Sequence, residues 1–210
     1  MAKSRDKVQQ QGFWDQEVTT AGHDDVMVWV DDNADLVMSR AFPELYGRGW
    51  IPDDIEWGIE AAARAAAMEQ VEAFMRATPR EDPRVKGSVW ESPLRDDRHR
   101  PSHYQRSVCF ADLIISATYP RIYVQEQDIA EHRRAGPLAI GVSWPRIGGH
   151  FGVLIEAKSV LPSRGDLIRQ LRHYGTVFHG PMVVVSQDDS YAALLHKQGF
   201  RFVQCPRPLP

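Results

Sequence analysis

The chain has 210 residues, 25 Lys and Arg against 28 Asp and Glu, a formal net charge of −3 and 43% hydrophobic residues. That balance excludes disordered and fibrous chains, and the length suits one domain with an appendage or two small domains. No run approaches the ~20 apolar residues of a membrane span, and the polar start, MAKSRDKVQQQ, has no apolar signal segment. Cys109 and Cys205 form neither a C-x-x-C site nor a disulfide framework, so a reducing cytoplasm is the expected location and no membrane partner is expected.

In chain order, Val26-Met-Val-Trp-Val30 is rich in β-branched and aromatic residues and reads as a short strand or as the start of a helix through Met38. Residues 1–50 are assigned to an N-terminal extension, and 51–210 to the main domain. Pro52 followed by Asp53-Asp54 predicts a helix start, continued by the alanine-rich run to Met75 and stopped at Thr78-Pro79. Ser88–Ser92 reads as a strand, residues 93–106 as a charged loop, and Ser107–Ala117 as a strong strand. Ile122–Gln125 is a further strand candidate within an insertion. Leu138–Trp144 and Phe151–Lys158 suggest a hairpin across Pro145–Gly149. Ser163 with Asp166 predicts a capped helix running to about Phe178. Met182–Ser186 reads as a buried strand, Tyr191–Gln198 as a short helix ended by Gly199, and Phe200–Cys205 as a last strand. This order describes an α/β layered domain with a mixed sheet.

Side chains alternate along a strand. Leu154, Glu156 and Lys158 therefore share one face, and Phe151, Val153, Ile155 and Ala157 share an apolar one. By the same rule Asp112 shares a face with Val108, Phe110 and Ile114, a single acid inside an apolar run. Buried, unpaired charges are costly, so these residues either reach solvent at strand ends or meet partners in a site. Strands carrying Asp112 and Glu156 side by side would bring two carboxylates together. Their repulsion is relieved by a divalent cation, and an open oxygen site suits Mg²⁺ or Mn²⁺. On the following helix Gln170 and Tyr174 are four residues apart on one face, at the edge of a stripe formed by Leu167, Leu171, Tyr174 and Phe178.

Asp112, Glu156-Ala-Lys158 and Gln170-x-x-x-Tyr174, in that order, resemble the PD-(D/E)XK nuclease superfamily. The nearest likeness is to the branch with a Q-x-x-x-Y motif, which includes RecB-type and type I restriction subunit nuclease domains; TnsA-type transposase endonucleases have a similar motif order. The resemblance spans roughly residues 53–205. It implies a restriction-endonuclease-like mixed sheet flanked by helices, and Mg²⁺- or Mn²⁺-dependent hydrolysis of DNA phosphodiester bonds by in-line attack of water. It further implies Asp112, Glu156 and the main-chain carbonyl of Ala157 as metal ligands, with Lys158 as the catalytic lysine. Gln170 and Tyr174 would orient the site or contact the DNA backbone. An acid from the first helix also contributes in many members; Glu60, Glu69 and Glu72 are the candidates here, Glu60 first.

The chain departs from the family pattern in two places. Phe110-Ala111 stands where a proline would precede the aspartate, and an insertion of about thirty residues leaves Asp128 as an alternative ligand. No helicase motif is present, so a motor or targeting function would come from a protein partner, and a homo-oligomer is open. A catalytically idle DNA-binding or assembly module is the competing expectation. His99, His103, His150, His173 and His179 are scattered and give no zinc site. Arg95, Arg98, Arg100, Arg106, Arg133, Arg134, Arg164, Arg169 and Arg172 flank the motif residues, where phosphate contacts belong, with Arg106 and Arg169 the nearest. The net charge of −3 therefore does not exclude DNA, since much of the acid lies in residues 15–72.

Overall fold

A computed structural model describes residues 21–95, 107–126, 140–143 and 149–207. The expected loop arginines Arg98, Arg100, Arg106, Arg133 and Arg134, and the alternative ligand Asp128, lie outside these residues. The fold is mixed α/β, and no helix among the described residues is long and apolar enough to cross a membrane.

The helices are α1 (Ala21–Asp32), α2 (Ala34–Ala41), α3 (Ala61–Ala77), α4 (Arg164–Tyr174) and α5 (Ala192–Lys197). The strands are β1 (Ile55–Gly58), β2 (Arg84–Arg95), β3 (Ser107–Tyr119), β4 (Ile122–Glu126), β5 (Ile140–Ser143), β6 (Gly149–Lys158), β7 (Met182–Ser186) and β8 (Arg201–Gln204). A mixed five-stranded sheet has the order β2-β3-β6-β7-β8, and a second sheet has the order β1-β4-β5. The β6–β7 and β7–β8 pairs are parallel, as is β1–β4, while β5 runs antiparallel to β4.

The chain divides into two units that each draw on residues from both sides of residue 50. One comprises 1–37, 87–115 and 152–210, the other 38–86 and 116–151. In the first unit, α4 and α5 cover one sheet face. Leu154, Met182 and Val184 of the strands are buried with Leu167, Leu171, Tyr174 and Leu195 of the helices. The parallel register sets Leu154 beside Met182 and Glu156 beside Val184, so alternate residues Ile155, Ala157, Val183 and Val185 fall on the other face, also fully buried. A sheet buried on both faces needs a helix on each, and α1 packs on β7. Residues 21–37, expected to belong to an extension, are thus part of this unit.

The ambiguous Val26–Val30 run is helical. Val26, Val30, Ala34, Val37 and Ala41 are all buried at spacings of three and four, a helical period that extended chain cannot satisfy. Two expectations are corrected. The helix predicted to begin at Pro52 does not: Pro52–Asp54 is a single 3-10 turn, β1 follows, and the alanine-rich helix begins only at Ala61. The predicted hairpin of β5 with β6 does not form: β5 pairs with β4, and β6 lies between β3 and β7. In addition, α4 stops at Tyr174 rather than near Phe178.

In the second unit, α3 buries Ala67 and Val71 against Ile122 and Val124 of β4. The loops at its end are tied by Asp54, 2% exposed. Its carboxylate takes the Ile51 amide at 3.1 Å and Arg48 Nη2 at 3.1 Å, and lies 3.3 Å from Arg80 Nε.

Candidate active site

The centre of the five-stranded sheet holds the charged pair that the alternation argument singles out. Glu156 and Lys158 are 0% and 2% exposed, and Lys158 Nζ lies 2.6 Å from Glu156 Oε1. The same oxygen accepts from Gln170 Nε2 at 2.7 Å. Gln170 is placed by α4, whose start is fixed by Ser163: its hydroxyl accepts from the Asp166 amide at 3.2 Å. One turn later Leu167 and Leu171 are buried on the sheet, which turns Gln170, half-buried, over Glu156. Gln170 Nε2 also donates to the Tyr174 hydroxyl at 2.8 Å. Burial first, then the charges of Glu156 and Asp112, raise the Tyr174 phenol far above its ordinary range, so it stays protonated.

Asp112 reaches this group from β3. Leu154 gives its amide to Pro181 at the head of β7 (3.0 Å). Backbone groups of successive strand residues point to opposite neighbours, so the amide and carbonyl of Ala157 face β3. There Asp112 Oδ2 accepts the Ala157 amide at 2.8 Å. Asp112 thus sits on the backbone link between Glu156 and Lys158. Around it β3 keeps the expected alternation: Ala111, Leu113, Ile115 and Ala117 are buried, while Ile114 is half-buried and Ser116 exposed.

One residue was absent from the candidate set. His23, in the first turn of α1, places Nε2 3.4 Å from Asp112 Oδ2. Side-chain exposures are 12% for His23 and 11% for Asp112, against 0% for Glu156 and 2% for Lys158, and both ring nitrogens of His23 are buried. A signal for it existed in the sequence: His23 precedes Val26 by three residues, on the stripe that α1 buries.

Other candidates lie elsewhere. Glu60 is the residue before α3, exposed and without a side-chain capping bond, and belongs to the other unit with Glu69 and Glu72, also exposed. The helix that brings a side chain to Asp112 is α1, not α3. Arg169 is exposed and pairs with Asp166 one turn away. Arg164 lies over the Tyr191 ring at 5.3 Å, and Arg172 donates to Gln198 at 2.7 Å. Cys109 is half-buried near Glu156; burial and that charge push its thiol from 9.0 up to about 11, so it is an inert thiol at neutral pH.

The donors near Ala157 are two carboxylates, a strand carbonyl and an imidazole. The oxygen donors among them, the carboxylates and the carbonyl, are of the type that a hard divalent cation takes while keeping several waters. Among the described residues there is no group of three or more His, Cys, Asp or Glu side chains placed to hold a metal ion, so backbone and water would have to complete the coordination. No protein-family model, curated protein or solved structure matches the chain.

Proposed function

We propose that the protein is a Mg²⁺- or Mn²⁺-dependent nuclease of the PD-(D/E)XK type, acting on DNA phosphodiester bonds. The single observation that carries the reading is a Glu–Lys pair buried at the middle of a sheet, with an aspartate on the amide between them. Burying such a pair is a poor way to gain stability, because desolvation offsets much of the attraction. Its placement is economical for catalysis, where low dielectric strengthens each charge.

Asp112, Glu156 and the Ala157 carbonyl would hold the ion, with His23 beside Asp112 orienting its carboxylate. The bound ion supplies charge to polarise a phosphate and lowers the pKa of water near it. The chain's own residues do the rest. Glu156 holds the Lys158 ammonium in place, and that ammonium offsets charge gathering on the phosphate in the transition state. Gln170 fixes the Glu156 carboxylate so that it does not follow the lysine. Tyr174, kept protonated, serves as a neutral support for Gln170. DNA is the proposed partner.

The test is hydrolysis of labelled single- and double-stranded DNA by the full chain with Mg²⁺ or Mn²⁺. Cleavage by the wild type, lost to background in Asp112→Asn, Glu156→Gln and Lys158→Met, is the expected result. Undiminished cleavage by the first two variants would sink the assignment.

A second reading has its own observation, the missing three-side-chain metal cluster among the described residues. It makes the domain a DNA-binding or assembly module with an idle site. Wild-type protein that binds DNA but never cuts, across metals and substrates, selects it.

A further inference from the structure

Glycine costs about 1 kcal/mol relative to alanine inside a helix, yet Gly22 is the second residue of α1. It is not among the positive-φ glycines of the described residues, Gly47, Gly87 and Gly199, so backbone conformation does not demand it. Space does. A Cβ on Gly22 would lie 3.3 Å from Ser159 Cβ, closer than such atoms ordinarily sit, and in ordinary contact with Ser159 Oγ at 3.9 Å. Ser159 directly follows Lys158, and Gly22 directly precedes His23. At its far end α1 is pinned to β2: Asp31 accepts from the Ser88 hydroxyl and, at 3.0 Å, from Trp90 Nε1. With that end fixed, the depth of the first turn depends on how closely Gly22 approaches Ser159.

We propose that Gly22 is a positioning residue: its missing side chain lets the first turn of α1 close on Ser159 and seats His23 against Asp112. A methyl group there requires one side of the contact to give by a few tenths of an ångström; in this proposal the first turn of α1 gives and carries the imidazole with it. This rests on the reading of Asp112 as a metal ligand.

The experiment uses the full chain and three variants: Gly22→Ala, Ser159→Gly and the double variant. Mn²⁺ affinity is measured by electron paramagnetic resonance of the free ion, and stability by urea unfolding in EDTA. Gly22→Ala is expected to weaken Mn²⁺ binding about 10-fold, the scale on which groups that orient a ligand act. Its metal-free stability stays level or rises, because alanine is the better helix former. Ser159→Gly removes the opposing Cβ, so the double variant recovers wild-type affinity.

Wild-type affinity in Gly22→Ala overturns the proposal and leaves the metal site standing. So does weakened binding that tracks a fall in stability and is not restored by Ser159→Gly, because the contact is then packing alone. A wild type that binds no Mn²⁺ removes the site reading itself, and this inference with it.

Discussion

Glu156→Gln separates charge from shape at the centre of the site. The amide matches the carboxylate in size and still accepts from Gln170, but the Lys158 ammonium, 2.6 Å away and 2% exposed, loses the carboxylate charge opposite it. Removing one member of a buried pair costs about 3–5 kcal/mol. With a urea slope of about 2–3 kcal/mol per molar, the unfolding midpoint drops by roughly 1–2.5 M. The double variant Glu156→Gln with Lys158→Met removes both charges, and neutral groups of similar volume restore stability to within about 1 kcal/mol of the wild type or better. The loss is therefore strongly non-additive. Urea unfolding followed by tryptophan fluorescence at pH 7 reads both variants, and neither should cleave DNA. If Glu156→Gln unfolds at the wild-type midpoint, or the double variant loses the sum of the two single losses, the pair is not the buried, mutually dependent one described.

Other outcomes follow from the same geometry. The Cys109 thiol, raised from 9.0 to about 11, favours the folded state below the unfolded value. Wild type should therefore lose stability relative to Cys109→Ala as pH climbs from about 9 through 11; equal pH curves would contradict the burial. Asp54→Asn leaves Arg80, its side chain 1% exposed, without the charge that faces it, at a cost of about 3–5 kcal/mol. Hydrogen exchange in α3 and β1 should rise accordingly, and unchanged protection would refute the tie. Ser163→Ala removes the cap of α4 at a cost of about 1 kcal/mol, seen as faster exchange in its first turn. The Ser163 hydroxyl is also the main cause, ahead of Arg169, that lowers the Asp166 carboxyl below 3.8. That contribution is present above the unfolded value and fades as pH falls below it, so wild type and Ser163→Ala should converge in acid.

Much of the first unit was legible because local chemistry and global placement agree. Met182–Ser186 carries three successive valines and is buried on both faces, Ser163 caps the helix it predicts, and Gly199 adopts φ +83 after α5. Glu156 and Lys158 stood out because alternation left them on a core strand. The failures arise where a local signal fits two structures. Val26–Val30 is apolar enough for a strand, and only the spacing out to Ala41 decides for a helix. Pro52-Asp53-Asp54 is a good helix start that serves instead as a one-turn lead into β1, whose four residues are too few to advertise themselves. β5 and β6 are neighbours in sequence but join different sheets, a choice made by non-local pairing. His23 is hard to single out because its partner, Asp112, is 89 residues away, and its one local mark, three residues before Val26 on the stripe that α1 buries, does not point to that partner.

The most direct measurement is an anomalous difference map from crystals of the protein soaked in Mn²⁺. The account predicts a peak beside Ala157, within ligand distance of the Asp112 and Glu156 carboxylates. A soaked crystal with no peak there, or with Mn²⁺ only on surface carboxylates, would contradict it.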